Sequence, residues 1–383
     1  MKSKLLIALM VGAMSWTAAS AEPAVETVKI GCVAPLTGPQ AHLGKDIENG
    51  ARLAVDTINA TKPTLAGKPV QFVLQVEDDA ADPKTATVVA QKLVDDGAKG
   101  VVGHLNSGAS IPASRIYADN DIPQVSPAST AVAYTHQGFK TTFRLMANDS
   151  QQGRALGQYA THLGKRVAVV DDRTAYGQGL IDEVVKGVKA AGGEVVAREY
   201  TTDKSTDFTA ILTSLKAKKP DVVVFGGMDP QAAPMVRQLH TLGMKIPFIG
   251  GDGMQTAEFI KLAGPAAEGS IGSSPGLPID KMPGGAEFTK RFGERFGKIQ
   301  IYAPFAHDSA VVLIQAMLRA GSAEPEKYLP ELARTQLDGV IGPIAFDDQG
   351  DLKDGPVTLY QVKKGKWQAV ETVGGPAAKA AAK

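Results

Sequence analysis

Gly100-Val101-Val102-Gly103-His104-Leu105-Asn106-Ser107-Gly108-Ala109-Ser110 places a short apolar run, a polar turn and a stretch of small residues in succession. Gly100 to His104 is β-rich and no longer than a strand core, and Ala113 to Ala118 beyond the turn reads as helix. This strand, loop and helix unit recurs along the chain. Further strands are predicted at Val28 to Ala34, Val70 to Val76, Ile122 to Ser126, Arg166 to Val170, Glu194 to Glu199, Asp221 to Gly226 and Pro247 to Gly250. Between the first two of these, Ile47, Ala51, Ala54, Val55 and Ile58 fall on one helical face, with Asp46, Glu48, Arg52, Asp56 and Asn59 covering the other. Ala310, Leu313, Ile314 and Met317 repeat the stripe, and Asp82-Pro83 reads as an N-cap followed by Pro at the first helical position. Short strands alternating with helices imply parallel sheets covered by helices.

The strands form two groups, one before about Ala147 and one from Arg166 to Gly250, each sufficient for a doubly wound sheet. The expected fold class is therefore α/β, with two doubly wound parallel-sheet lobes joined by a hinge. Residues from about Gly276 onward hold too few strands for a third domain. They are expected to return to the first lobe before Val357 to Val362 adds an edge to the second. The division this predicts is a first lobe of 22–147 with 276–346, a second of 148–275 with 347–375, and a disordered tail at 376–383.

The chain has 383 residues, 44% of them apolar and 21% charged, which suits a soluble two-lobed protein and excludes a membrane-spanning body. A formal charge of +1 supplies no basic field, so nucleic acid is a poor partner. Lys2 and Lys4, the apolar run Leu5 to Val11 and the small residues ending Ala19-Ser20-Ala21 read as an export signal over 1–21. The expected location is thus the periplasm, with no cysteine at the cleavage point to carry a lipid. Cys32 is the only cysteine, so no internal disulfide is possible, and its apolar strand marks it as buried filler.

In open parallel sheets ligands bind beyond the carboxyl ends of the strands. Ser107, following Gly100 to His104, offers a hydroxyl and a backbone N–H at the positive end of a helix, a seat for a carboxylate or an ordinary N-cap. Ser126-Pro127-Ala128-Ser129-Thr130 follows the next strand with more small hydroxyl residues, and Thr130 can donate and accept. Gly251-Asp252-Gly253 ends another strand with an acid that suits an ammonium or merely shapes a turn. Asp171 to Gly179 brings Tyr176 to the rim of the second sheet, and Asp221 to Gly227 delivers Met228 and Asp229. Anion donors on one lobe and a carboxylate with apolar surface on the other suit a zwitterion with an apolar side chain.

Enzyme signatures are lacking. The six histidines, at 42, 104, 136, 162, 240 and 307, make no H-x-x-x-H pair and have no cysteine partner, so no metal or cofactor is expected. Gly272-Ser273-Ser274-Pro275-Gly276 matches G-x-S-x-G, but the residue after the nucleophile must give an oxyanion-hole N–H, and Pro275 has none.

Several stretches together resemble the exported leucine/isoleucine/valine-binding proteins of ABC transporters, of type I periplasmic binding fold. They are Ala34-Pro35-Leu36-Thr37-Gly38, Glu77 to Lys84, Gly103 to Ser107, Ser126 to Thr130, Phe143-Arg144, Tyr176 to Gly179, Phe225-Gly226-Gly227, Ile249 to Gly253, Ile341-Gly342-Pro343 and Gly350 to Lys353. The resemblance implies that Ser107 and Thr130 bind a ligand α-carboxylate, while the Thr130 hydroxyl, the Ala128 carbonyl and Asp252 take its α-ammonium. Ser129 belongs to the same implied binding loop, and Tyr176 matches an aromatic that closes over the ligand. Leu43 and Met228 stand where some relatives have tyrosines, Tyr302 stands near a Phe of the side-chain pocket, and Asp252 replaces a longer acid. Ala81 and Asn106 stand where some members carry a disulfide. The expectation is a monomeric, non-enzymatic receptor that captures a neutral, apolar amino acid and delivers it to a membrane-embedded ABC permease. A same-fold receptor for an amide or aromatic acid is the main rival, a sensory ligand-binding domain the second, and an enzyme a remote third.

Overall fold

The computed structural model describes residues 25–375, so the expected export signal and the tail 376–383 lie outside the described residues. The first sheet takes β1 (Glu26–Ala34), β2 (Thr64–Leu65), β3 (Lys68–Asp78), β4 (Val101–Gly103), β5 (Gln124–Ser126) and β6 (Thr142–Arg144). Their order is β2-β3-β1-β4-β5-β6, parallel except for the β2–β3 hairpin. Helices α1 (Ala41–Ala60), α2 (Pro83–Asp95) and α3 (Ser107–Ala118) make the crossovers.

α4 (Asp149–Leu163) opens the second half, followed by β7 (Arg166–Asp171), α5 (Ala175–Ala190), β8 (Glu194–Tyr200), α6 (Thr209–Ala217) and β9 (Val222–Gly226). Next come α7 (Asp229–Thr241), β10 (Phe248–Gly250), α8 (Ala257–Ala263) and β11 (Ile271–Ser274). The chain then runs through α9 (Gly285–Phe296), α10 (Ala303–Ala320), α11 (Pro325–Ala333) and the small hairpin of β12 (Gln336–Gly339) and β13 (Gly342–Ala345). It ends in β14 (Val357–Lys363) and β15 (Lys366–Val373), which complete a second sheet ordered β15-β14-β11-β10-β9-β7-β8. Every residue of β9 is buried, as expected for a strand covered by helices on both faces.

The fold class is α/β as expected, with two sheets that are mixed rather than wholly parallel: β14 runs antiparallel to β11, and β15 antiparallel to β14. The expected edge strand at Val357 to Val362 is therefore not an edge, because β15 folds back over it. Its two-residue turn, Lys364-Gly365, has positive φ at both positions (54° and 69°), the geometry of a hairpin turn more often written Asn-Gly. The three-residue β6 and the four-residue β11 are likewise additions to the sequence reading.

The polar face expected for α1 also needs correction. Asp46 and Glu48 are buried, and Asp46 accepts backbone N–H bonds from Gln300, Ile301, Tyr302 and Ala303 at 2.7–3.0 Å. One carboxylate thus caps the start of α10 and fixes it along α1, where a negative charge also suits the helix dipole. Asp82 does cap α2, accepting from the Thr85 N–H at 2.8 Å. Cys32 is buried as expected, and burial, with the charge of Glu48, pushes its thiol up to about 12.

Asp46→Asn keeps an acceptor but loses the charge shared by four N–H donors. We expect a stability loss of about 1–3 kcal/mol, the scale of a weakened buried hydrogen-bond set, read as a lower urea midpoint with an unchanged slope. An unaltered midpoint would show that the cap contributes nothing.

Candidate functional site

In both sheets the strand order reverses beside the first strand of the unit, between β1 and β4 in one and between β7 and β9 in the other. The loops after those strands are where a sheet of this topology holds a ligand. Leu43 follows β1, Ser107 follows β4, Tyr176 follows β7 and Met228 follows β9, so the topology brings four sequence-predicted residues to the two switch points. Leu43, Ala128, Tyr176, Met228 and Tyr302 are all buried in one contiguous apolar cluster.

The loop after β5 is built by its own hydroxyls. Ser126 Oγ accepts from the Ser129 N–H at 2.8 Å and donates to the His104 carbonyl at 2.8 Å. Ser129 Oγ is occupied by Ser110 Oγ at 2.6 Å and by the Leu105 carbonyl at 3.0 Å, so this candidate ligand contact serves the scaffold. Ser107 opens α3 without capping it; its Oγ accepts from the Ala131 N–H at 3.2 Å. Arg144, fully buried at the end of β6, donates through Nη1 to the carbonyls of Ser129 and Ala131, both at 2.9 Å. Its Nε lies 2.5 Å from Asp351 Oδ1 and its Nη2 donates to Thr135 Oγ1. Burial alone would raise the Asp351 pKa, but the Arg144 charge, with hydrogen bonds from Arg144, Thr135 and Asn148, holds it below the usual carboxylate range. Thr130 sits between the two clamped carbonyls. Its own carbonyl accepts the Asp149 N–H at 2.8 Å, and its buried Oγ1 has no partner of normal geometry within the chain.

Asp252 occupies the facing wall. Its Oδ1 accepts from Gln152 Nε2 and Tyr176 Oη, both at 3.0 Å, and its Oδ2 from Tyr302 Oη at 2.8 Å. Burial raises its pKa, and the Tyr302, Gln152 and Tyr176 hydrogen bonds oppose the rise. The flanking glycines provide space rather than a turn: a Cβ at Gly251 would lie 2.2 Å from Tyr176 Oη, and one at Gly253 would lie 2.5 Å from Met228 Sδ.

Two further residues belong here. Gln152 is fixed by Ser273 Oγ and the Asp252 N–H, both donating to its Oε1, which turns its amide NH₂ onto Asp252. Asp149 is fully buried, and neither carboxylate oxygen has a partner of normal geometry. Burial and the neighbouring Asp252 charge push it up to about 8; Thr130 and Gln152 lie close enough to oppose the shift without completing good hydrogen bonds. A legible signal was available for both. Asn148 and Gln151 form a capping box that starts α4, which puts Asp149 and Gln152, three apart, on one face of its first turn. Among the described residues no group of three or more His, Cys, Asp or Glu is placed to hold a metal.

Residues 27–366 match the periplasmic binding protein family. The chain is 36% identical over 341 residues to Leu/Ile/Val-binding protein homolog 1 of Brucella melitensis, spanning 88% of this chain and 91% of that relative. It is similar to the branched-chain amino acid transporter substrate-binding protein LivJ of Streptococcus pneumoniae in complex with isoleucine: TM-score 0.81, 27% identity, 91% of this chain and 100% of that one. The fold is shared with a solute-binding protein of an ABC transporter from R. palustris in complex with benzoate: TM-score 0.80, 22% identity, 90% of this chain and 96% of that one. The chain belongs to the periplasmic binding protein family, whose members are extracytoplasmic, non-enzymatic receptors. Within that family it is a solute-binding protein of an ABC transporter that takes a small ligand.

Arg144→Ala would strand the buried Asp351 carboxylate, and we expect a loss of about 3–5 kcal/mol of stability, measured by urea unfolding; a loss below about 1 kcal/mol would mean the clamp is dispensable. Asp149 titrates with the opposite sign to a salt-bridged acid. Its raised pKa means that the folded state binds the proton more tightly, so its contribution to stability falls as pH rises from about 4 towards 8. Asp149→Asn should therefore melt above the unliganded wild type at pH 8, with the gap closing towards pH 4. A pH-independent gap would place the effect elsewhere.

Proposed function

We propose that the chain captures a neutral amino acid with an apolar side chain, of the leucine, isoleucine and valine class, and delivers it to an ABC permease. The observation that carries this reading is the set of buried polar groups without a hydrogen bond of normal geometry among the described residues: Thr130 Oγ1 and both oxygens of Asp149, beside the Asp252 carboxylate. An α-ammonium supplies three donors, which is what two acids and a hydroxyl acceptor call for. Ser107 at the head of α3 offers the complementary end for an α-carboxylate. The apolar cluster of Leu43, Tyr176, Met228 and Tyr302 suits an aliphatic side chain, and the similar B. melitensis protein is named for binding one.

The ligand would be held between a first lobe of 22–147 with 276–346 and a second of 148–275 with 347–375. These lobes close about Ala147-Asn148 and the two return segments. The working form would be an exported monomer, freed of residues 1–21. One observation favours the rival aromatic or amide ligand. Asp252 already accepts from three neutral donors, so an ammonium is not its only possible compensation, and a relative of the same fold binds benzoate.

A thermal-shift screen of the twenty amino acids, short amides and benzoates separates the readings. Binding to the native state alone adds about 2.7 kcal/mol at a hundredfold excess over Kd, so leucine, isoleucine or valine should raise the melting temperature by several degrees. Asp252→Ala should abolish that shift, and Ser107→Ala or Thr130→Ala should each cost about 1–3 kcal/mol of binding. A shift with benzoates alone, retained in Asp252→Ala, would replace the amino-acid assignment.

A further inference from the structure

His42 and Asp229 meet between the two halves. His42 lies in the first turn of α1 on the first sheet, Asp229 opens α7 on the second, and Nε2 of one stands 2.9 Å from Oδ2 of the other. Asp229 is fully buried: Oδ2 also accepts from Thr256 Oγ1 at 2.6 Å, and Oδ1 has no hydrogen-bond partner among the described residues. A buried carboxylate with one hydroxyl donor is poorly compensated. Among the described residues only His42 brings it a group that can carry positive charge, and the imidazole remains 22% exposed and open to protons from solvent.

We propose that His42 is a positioning residue for ligand capture, whose imidazolium latches the two halves together through Asp229 and makes closure depend on a proton. This rests on the reading that the ligand is held between closing lobes, and it goes beyond that reading by making affinity pH-dependent through a contact outside the ligand site.

The groups that face His42 agree in sign. Asp229 on α7 and Glu258 on α8 are both acidic, and the Pro39 carbonyl lies beside the ring. Along α1, Lys45 is paired with Glu48, and Asp46 with the backbone of 300–303. Tyr302, also in the electrostatic reach of Asp229, is kept neutral by burial, with the charges of Asp252, Asp229 and Asp46 adding to the effect. Burial lowers the His42 pKa, but the hydrogen bond and charge of Asp229, with Glu258 and the Pro39 carbonyl, outweigh it and raise the net value above the ordinary range. Separating the halves removes Asp229 and returns His42 towards about 6.5. The closed form therefore binds the proton more tightly. The latch is complete below the open-form pKa and is lost as pH rises through the closed-form pKa.

The test is calorimetry with L-leucine at pH 5.5 and pH 8.5, on wild type, His42→Gln and Asp229→Asn. Asp149, pushed up to about 8, ionises in the same window in all three proteins, so the readout is the difference: the wild-type Kd should rise with pH about three- to tenfold more than that of either variant, the scale of a partly screened charge-assisted hydrogen bond. A pH dependence identical in wild type and His42→Gln overturns the latch; that partly exposed site keeps the test open if Asp229→Asn folds poorly. If L-leucine binds at neither pH, the amino-acid reading fails separately. The latch is then read from the His42 ring by NMR titration of the free protein. A midpoint above that in Asp229→Asn supports it, and coincident midpoints overturn it.

Discussion

A guanidinium with no access to water can neither shed its charge nor leave its donors idle. Arg144 meets both demands in one place, and much of the architecture follows from how it does so. Its carboxylate partner, Asp351, comes from the return segment between β13 and β14 and is also held by Asn148, the first residue of the capping box of α4. Its carbonyl partners bracket Thr130. One ion pair thus ties together the end of the first sheet, two of the three passages of chain between the sheets, and the loop that presents the unpaired threonine hydroxyl. Removing water makes the pair demanding in geometry, and that demand fixes the loop.

The facing wall works by a different principle. Asp252 is compensated by dipoles, two phenols and an amide, and no cation among the described residues pairs with it. The amide is aimed because Ser273 and the Asp252 N–H both occupy its oxygen. Neutral donors leave the acid partly uncompensated, as its raised pKa indicates. Its electrostatic neighbour Asp149 has still less compensation. This region thus concentrates acceptor capacity that the described residues leave unmet.

Sequence patterning made the two sheets legible because parallel strands buried on both faces must be short apolar runs, and β7, β9 and the C-terminal half of β1 are, while β3 is longer and mostly half-buried. It missed the two-residue β2 and the β12–β13 hairpin, and it missed β6, β11 and β15 for three different reasons. β6 is only three residues long, β11 is the small-residue run Ile-Gly-Ser-Ser, and β15 is an exposed edge whose turn is Lys-Gly. The switch-point residues Ser107, Tyr176 and Met228 were found because strand ends predict them. Phe143-Arg144 and Gly350 to Lys353 were visible as family words, but nothing in either word says that Arg144 meets Asp351. Asp46 was misplaced because amphipathic periodicity sorts residues by type, and it cannot see that a carboxylate facing inward will find four backbone donors from the far end of the chain.

That last contact sets an order of events. Asp46 and the backbone groups it caps are separated by 254 to 257 residues. Few bonds in a chain of this length have a longer reach, and loop closure makes such contacts late and slow. The outer layer of the N-terminal sheet cannot be sealed by α10 until the whole of the second sheet's parallel core has been made. A chain released residue by residue from its N-terminus therefore holds an unfinished first half, with the apolar face of α1 uncovered, while the parallel core of the second sheet is made. The second sheet waits in turn for β14 and β15, so neither half of this receptor can be completed before the other has been largely made.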